Sequence, residues 1–168
     1  MCATFLLPVG IQNVQGTTLR QNIVKENAPL ETKKVMAPSG CTAKELQNIL
    51  NENMDGKYNL TVEIPSGTYQ FDHTIYVWPN TTIHAASGAK IIKMSGYGAM
   101  IEDVIIEDKG SYDTSSNITI DGGIWDSTPT MTAKEGTESF RFIHCSDITV
   151  KNLTVCNVPS GSHLVVFA

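Results

Sequence analysis

One short phrase occurs three times in this chain: a polar turn residue is followed by alternating threonine and apolar residues. Recurrence of one strand-and-turn unit is typical of a solenoid, in which successive coils stack on one another. Sandwiches and barrels also contain many short strands, but the repeated phrase favours the solenoid over both. We therefore predict an all-β solenoid in which Ile83, Ile120 and Val150 form one inward-facing ladder, with about 4.8 Å between coils. The three copies are Asn80-Thr81-Thr82-Ile83, Asn117-Ile118-Thr119-Ile120 and Asp147-Ile148-Thr149-Val150.

One helix precedes these strands. Thr42 followed by Glu45 forms a capping box, and apolar residues then recur at helical spacing until Asp55-Gly56 ends the run. A stack of coils has an open apolar end that must be covered, so we expect the helix over Thr42–Met54 to be the cover. Its predicted buried face consists of Leu46, Ile49 and Leu50. Short β-branched segments bounded by turn residues predict strands at 61–64, 74–77, 81–85, 90–94, 104–108, 118–122, 140–145, 148–155 and 163–168.

The first sixteen residues differ from the rest of the chain. An apolar stretch from Ala3 to Ile11 is followed by a short polar tail that ends in Val14-Gln15-Gly16, which resembles a truncated signal peptide without its basic start. This predicts a secreted protein or one on the extracellular surface; a buried N-terminal strand is the alternative. Residues 17–38 are polar and irregular, which predicts a linker. Residues 39–168 then form one domain, whose length suits a single continuous core.

Charge and composition limit the possible partners. The formal net charge is -5, and the lysines and arginines are scattered singly, so no basic face is available for a nucleic acid. No apolar run approaches the ~20 residues of a membrane-spanning helix. The cysteines and histidines lack the spacing of a metal site, and we predict neither a metal nor another cofactor. Cys145 and Cys156 are either bridged or separate small thiols on neighbouring strands. Neutral or polyhydroxy ligands fit this composition best.

Four longer phrases, taken in order, carry a family resemblance: VEIPSGTYQF (62–71), NTTIHAASGAKI (80–91), NITIDGGIWD (117–126) and DITVKNLTVCNVPSGSHLVVF (147–167). They resemble the opening coils of the pectin-lyase-like right-handed parallel β-helices. Within that superfamily they are most similar to the family 28 glycoside hydrolases, the polygalacturonase group. The resemblance covers residues 37–168 and implies a right-handed parallel β-helix with a short N-terminal capping helix. It says less about the reaction, because one fold can host many activities.

The resemblance also implies a polysaccharide groove and catalysis by acids. In the polygalacturonase group one acid protonates the leaving oxygen while other aspartates activate water on the opposite face, across roughly 6.5 to 9.5 Å. The family's Asn-Thr-Asp, Asp-Asp, Gly-His-Gly and Arg-Ile-Lys motifs do not occur here. We therefore expect the catalytic residues after Ala168, where the chain stops within an apolar strand, and no activity in this chain alone.

These observations predict the N-terminal part of a secreted, polygalacturonase-like hydrolase that acts on an acidic plant or cell-surface glycan. Two alternatives stay open. One is a polysaccharide lyase, which would use calcium or a basic residue to remove a proton beside a uronate carboxyl. The other is a non-catalytic adhesin or tailspike-like carbohydrate binder.

Three residues are candidates for contact with the polysaccharide. His163 matches the position where the related hydrolases have a histidine before an apolar strand leading to the cleft, although strand alternation also allows it to be packed. Trp125 is either a stacking platform for a sugar ring or an inward core residue. Asp126 is a candidate for the groove wall. The alternative for Asp126 and Asp121 is a structural role beside Gly122-Gly123, a pair that permits a tight bend.

Overall fold

The structure, a computed structural model, describes residues 29–94, 98–105, 115–127 and 138–158, together with the backbone of 165–167. These residues form eleven strands, one α-helix and one 3-10 helix. In chain order they are β1 (Thr32–Met36), α1 (Ala43–Leu50), the 3-10 helix (Asn51–Gly56), β2 (Asn59–Ile64), β3 (Gly67–Phe71), β4 (Ile75–Val77), β5 (Thr81–Lys93), β6 (Ile101–Asp103), β7 (Ser115–Asp126), β8 (Phe140–Phe142), β9 (Cys145–Lys151), β10 (Thr154–Cys156) and β11 (Val165–Phe167). This β-rich composition with one short helix agrees with the predicted all-β class.

The strands form two parallel sheets. Every strand pair among the described residues is parallel. The larger sheet follows the order β1-β2-β5-β7-β10, with β3 beside β5 and β9 beside β7, and the four-stranded sheet follows the order β11-β8-β6-β4. The chain therefore passes repeatedly from one sheet to the other. Such a path allows parallel pairing, because the chain must return to the same end of the sheet before each new strand.

The predicted apolar ladder is present in the larger sheet. Ile83 lies opposite Ile120, and Ile120 lies opposite Val150. Ile83 and Ile120 are fully buried, and Val150 packs against the same core. Each copy of the phrase begins with a residue in the left-handed backbone region, a conformation that Asn and Asp tolerate better than most residues. These residues are Asn80 (φ 57°), Asn117 (φ 56°) and Asp147 (φ 55°).

β5 and β7 both bend within the larger sheet. Ala85 lies opposite Gly122, and Lys90 lies opposite Ile124. Between these two pairs β5 has four residues, 86–89, whereas β7 has only Gly123. Gly122 and Gly123 have φ values of 82° and 79°. A Cβ atom on Gly122 would lie 2.1 Å from the carbonyl oxygen of Ala85. The glycine pair is therefore required for the bend, both by its φ angles and by the close approach of β5.

The N-terminal helix covers one edge of the four-stranded sheet. Its capping box is present as predicted: the Glu45 N–H donates to Thr42 Oγ1 at 3.3 Å, and the Thr42 N–H donates to Glu45 Oε2 at 2.8 Å. The Gln47 side chain then bonds the backbone of Tyr76 in the edge strand β4. Tyr76 N–H donates to Gln47 Oε1 at 2.7 Å, and Gln47 Nε2 donates to the Tyr76 carbonyl at 3.0 Å. The helix thus satisfies polar groups that an edge strand leaves unpaired, while it buries Ala43, Leu46 and Leu50 in the core.

Some element boundaries differ from the sequence predictions. β1 lies within the segment predicted as a linker, because pairing with β2 stabilises a strand that its polar composition did not indicate. The predicted helix to Met54 changes to a 3-10 helix at Asn51. β6 precedes the strand predicted at 104–108; Val104 and Ile105 are outside any strand, and 106–108 lie outside the described residues. The predicted signal peptide at 1–16 also lies outside them. None of the helices described is long and apolar enough to cross a membrane.

Candidate functional site

A groove with a volume of about 450 Å³ lies where α1 and the residue after it approach β4 and β6. The end of the helix contributes amide side chains, β4 and the residue after it contribute two aromatic rings, and β6 and its following loop contribute acidic and aliphatic residues. Aromatic and apolar surface with a few polar groups is typical of ligand sites. The lining residues are Gln47, Asn51, Tyr76, Trp78, Glu102, Asp103, Val104 and Ile105.

Strand register aligns three side chains on the outer face of the four-stranded sheet. Tyr76 lies opposite Glu102, and Glu102 lies opposite Arg141. Each of the three stands between two buried residues of its own strand, so its side chain points away from the core. Neighbouring strands are about 4.8 Å apart, which is close to the size of one sugar ring. Tyr76, Glu102 and Arg141, here called the outer row, therefore place an aromatic ring, an acid and a guanidinium side by side.

Hydrogen bonds hold the aromatic end of the groove in position. Trp78 Nε1 donates to Asn51 Oδ1 at 3.1 Å, and Gln47 Nε2 donates to the same oxygen at 2.9 Å. The backbone of Tyr76 is held by Gln47 as described above, while 46% of the tyrosine remains exposed. Groups that are already fixed lose less conformational entropy when a ligand binds. The groove therefore has partly preorganised aromatic walls.

Burial raises the pKa of the Glu102 carboxyl above its usual range. Desolvation is the largest cause and outweighs the opposing effect of the Arg141 guanidinium, while the negative charges of Asp103 and Glu138 raise this pKa further. Arg141 Nη1 lies 3.4 Å from Glu102 Oε1, and 15% of the Glu102 side chain is exposed. Glu102 is thus a partly accessible acid held beside a cation.

Asp103 is held on the opposite side of the same strand. Only 2% of it is exposed, its Oδ1 accepts a hydrogen bond of 2.7 Å from the Ile143 N–H, and its Oδ2 has no hydrogen-bond partner among the described residues. Desolvation raises the pKa of this carboxyl, although the bond from Ile143 lowers it. Adjacent residues of a strand face opposite sides, so Glu102 points outward, whereas the Asp103 carboxyl is nearly fully buried and forms only part of the wall of the groove.

The structure places Trp125 in the core. It is fully buried, its ring packs edge to face against Phe140 with 5.2 Å between centroids, and its Nε1 donates to the Gly122 carbonyl at 3.0 Å. This is the inward alternative from the sequence analysis, and a sugar could stack on the ring only if core residues moved. His163 lies outside the described residues. Trp125 therefore does not line the groove.

Asp126 and Asp121 are engaged with neighbouring strands of the larger sheet. Asp126 is 4% exposed; its Oδ2 lies 2.8 Å from Lys90 Nζ, and its Oδ1 accepts a bond of 2.8 Å from Asn157 Nδ2. Asp121 Oδ1 accepts a bond of 2.9 Å from Asn152 Nδ2. These contacts connect β7 to neighbouring residues of the larger sheet, which fits the structural alternative for both acids. Neither acid lines the groove.

The described cysteines are separate thiols. Cys41, Cys145 and Cys156 are all unbridged, which decides between the two alternatives left open for Cys145 and Cys156. Burial raises the pKa of each thiol, that of Cys145 to about 11, where the nearby negative charge of Asp103 contributes. Such thiols are protonated at neutral pH and are poor nucleophiles. In the part of the chain that the structure describes, no three His, Cys, Asp or Glu residues are grouped so that they could hold a metal ion.

Sequence reasoning missed Tyr76, Trp78 and Glu102. A local signal was present for the two aromatic residues, because they flank Val77 at the end of a predicted strand and alternation places both on its outer face. No local signal connected them to Glu102, which follows in another strand. Only the register between β4 and β6 brings these residues together.

Comparison of the chain with protein-family models, with curated proteins and with solved structures finds no match in any of the three. The polygalacturonase-like resemblance therefore stays a prediction. We infer the function from the groove and from the sheets that position it.

Proposed function

We propose that this chain forms part of a right-handed parallel β-helix that binds a polysaccharide in the groove beside α1. The observation that carries the proposal is the outer row of Tyr76, Glu102 and Arg141 next to Trp78. Aromatic faces pack against the apolar faces of sugar rings, while carboxyl and guanidinium groups bond sugar hydroxyls. The three side chains of the outer row come from three adjacent strands. The site is therefore wide enough for a ligand with more than one ring.

The pairing of the strands supports the proposed β-helix. All described pairs are parallel, the chain alternates between two sheets, and the inward ladder of Ile83, Ile120 and Val150 runs across three strands. In a β-helix each coil adds one strand to every sheet, which accounts for these three features together. A groove on the outside of such a stack runs along the stacking direction. A polysaccharide is long enough to follow it.

Hydrolysis by a polygalacturonase-like mechanism is the reaction that the resemblance predicts for the protein to which this chain belongs. That mechanism needs two carboxyls on opposite sides of the glycosidic bond. Of the two acids in the described lining, Glu102 is partly exposed but Asp103 is only 2% exposed, so a second accessible carboxyl is lacking there and we assign the groove to binding and not to bond cleavage. Under this proposal the protein is secreted and the isolated chain binds its polysaccharide without hydrolysing it. The non-catalytic binder is the second candidate; the described lining of the groove contains no lysine, arginine or histidine that could serve as the basic residue of a lyase, which favours the binder over the lyase.

Binding measurements on point variants test the proposed groove. We expect Tyr76→Ala to weaken the binding of polysaccharide-derived oligosaccharides roughly threefold to tenfold, because an aromatic contact contributes about 0.5 to 1.5 kcal/mol. Isothermal titration calorimetry measures the dissociation constants, and a reducing-sugar assay of the same samples should detect no new chain ends. His84→Ala is the control, since His84 is an exposed residue of β5 in the other sheet and does not line the groove. Equal affinities for the wild type, Tyr76→Ala and His84→Ala would contradict the assignment.

A further inference from the structure

We propose that the groove takes a neutral polysaccharide in preference to a uronate-containing or an amino-sugar polysaccharide. This inference rests on the proposed function, because it names the substrate class of the same groove. It differs from the acidic glycan predicted from the sequence. The charges that line the groove and the pairing of Glu102 with Arg141 support the preference for a neutral ligand.

The described lining of the groove offers no spare positive charge to a uronate. Its described lining residues include no lysine, arginine or histidine, and its ionisable members are Glu102 and Asp103. The nearby cation Arg141 lies outside the lining and is 3.4 Å from the Glu102 carboxylate. A carboxylate on every sugar unit would therefore meet an acid without gaining an unpaired guanidinium or ammonium.

The ion pair also gives no advantage to a cationic sugar. Glu102 and Arg141 together carry no net charge when both are ionised, so an ammonium group that approaches Glu102 also approaches the guanidinium. Asp103 is only 2% exposed, so a ligand ammonium has little direct access to its carboxyl. The local field therefore favours neither sign of ligand charge.

Hydroxyl groups match this arrangement best. A carboxylate accepts hydrogen bonds from hydroxyls, a guanidinium donates to them, and each hydroxyl can do both. Bonds to ionised groups are stronger than those between neutral groups, so neutral sugars retain a polar attraction without a charge mismatch. Tyr76 and Trp78 add apolar surface for the faces of the rings. The described part of the groove thus combines stacking with hydroxyl recognition and contains no unpaired charged group that would bind a charged ligand.

Matched ligands isolate the effect of charge. Oligogalacturonate and its fully methyl-esterified form have the same backbone but differ by one carboxylate per sugar. β-Linked galactan and xylan oligomers serve as further neutral ligands, and a chitosan oligomer serves as the amino-sugar ligand. At pH 7 and low salt we expect the methyl ester to bind the wild-type chain at least about fivefold more tightly than the free acid, because the free acid must desolvate carboxylates that find no unpaired cation in the described lining of the groove. In a second series at mildly acidic pH, where most of its amino groups are protonated, we expect the chitosan oligomer to bind more weakly than the tightest neutral oligomer. Calorimetry with oligomers of equal length measures each dissociation constant.

Glu102→Gln provides the matched variant, because it removes the acidic charge while it keeps the size of the side chain. It leaves Arg141 without its carboxylate partner, so the preference for the methyl ester over the free acid should decrease or reverse. Circular dichroism and a melting curve establish that the variant is folded. Tighter binding of the free acid or of chitosan to the wild type would overturn the neutral-ligand inference and leave the binding function in place. Failure of every oligosaccharide to bind would overturn the proposed function and this inference with it.

Discussion

Asn53 connects three parts of the backbone through one buried side chain. Its Nδ2 donates to the Pro79 carbonyl at 3.0 Å and to Thr81 Oγ1 at 3.0 Å, and its Oδ1 accepts a bond of 2.9 Å from the Tyr58 N–H. The side chain is fully buried, so lost partners cannot be replaced directly by bulk water. This residue fixes the 3-10 helix against the start of β5. The aromatic residues of the groove belong to the segment between these two points.

We expect Asn53→Asp to destabilise the protein by about 3 kcal/mol or more, because it replaces two amide donors with a carboxylate oxygen beside carbonyl oxygens. Chemical denaturation of the variant and the wild type gives the difference in the free energy of unfolding. Asn59→Asp is the control: Asn59 is only partly buried, its described side-chain bond to the Leu30 carbonyl is 3.4 Å long, and the change should cost under ~1 kcal/mol. Similar losses for the two variants would show that the Asn53 network does not stabilise the fold.

The bend in β7 depends on space as well as on backbone angle. Gly122 and Gly40 both have positive φ, 82° and 69° respectively. A Cβ on Gly122 would meet the Ala85 carbonyl oxygen at 2.1 Å, whereas a Cβ on Gly40 would meet nothing within 4 Å. The two positions therefore separate the cost of the angle from the cost of the contact between strands.

Gly40→Ala is expected to lower the free energy of unfolding by about 1 to 2 kcal/mol, the usual cost of a left-handed conformation for an L-residue. Gly122→Ala should cost more than ~4 kcal/mol or prevent folding, because β5 and β7 must move apart. Thermal and chemical denaturation of both variants provide the comparison. Equal losses of stability for the two variants would contradict the conclusion that β5 approaches Gly122 too closely for a Cβ atom.

Stability of the whole molecule depends on acids whose pKa values are shifted in opposite directions. Burial raises the pKa of Asp103 above 3.8, whereas Lys34 and then His84 lower the pKa of Glu63 below 4.5, against the effect of desolvation. When the native pKa lies above the unfolded pKa, the native state binds more protons than the unfolded state at pH values between the two pKa values. The stabilising contribution of Asp103 is therefore complete below its unfolded pKa and is lost as the pH rises through its native pKa. The contribution of Glu63 is present above its unfolded pKa and is lost as the pH falls through its native pKa.

These signs predict opposite pH profiles for two variants. The free energy of unfolding of Asp103→Asn minus that of the wild type should become more positive between pH 3 and pH 7, because the variant no longer has to bury a carboxylate. The corresponding difference for Glu63→Gln should become more negative over the same range, because the variant loses the pairing with Lys34. Urea denaturation at several pH values measures both profiles. A flat profile for Asp103→Asn would contradict the raised pKa of its carboxyl.

The sequence by itself determined the features that depend on near neighbours. Asn80, Asn117 and Asp147 mark strand starts because their side chains tolerate the left-handed backbone, and the capping box at Thr42 and Glu45 needs only residues three positions apart. The ladder of β-branched residues followed from the same repeat, since the phrase defines which positions alternate inward. The parallel, β-rich organisation was accessible for these reasons.

Only the tertiary structure decided where the candidate site lies. Tyr76, Glu102 and Arg141 come from three strands separated by long connections, and their alignment depends on how each connection returns the chain to the sheet. The same applies to Trp125, whose burial depends on Phe140 from another strand, and to β1, which is a strand because β2 lies beside it. Local preferences define the side of a strand on which a residue lies. Register determines which residue of the adjacent strand lies opposite a given side chain. Register in turn depends on how the strands of both sheets pack together.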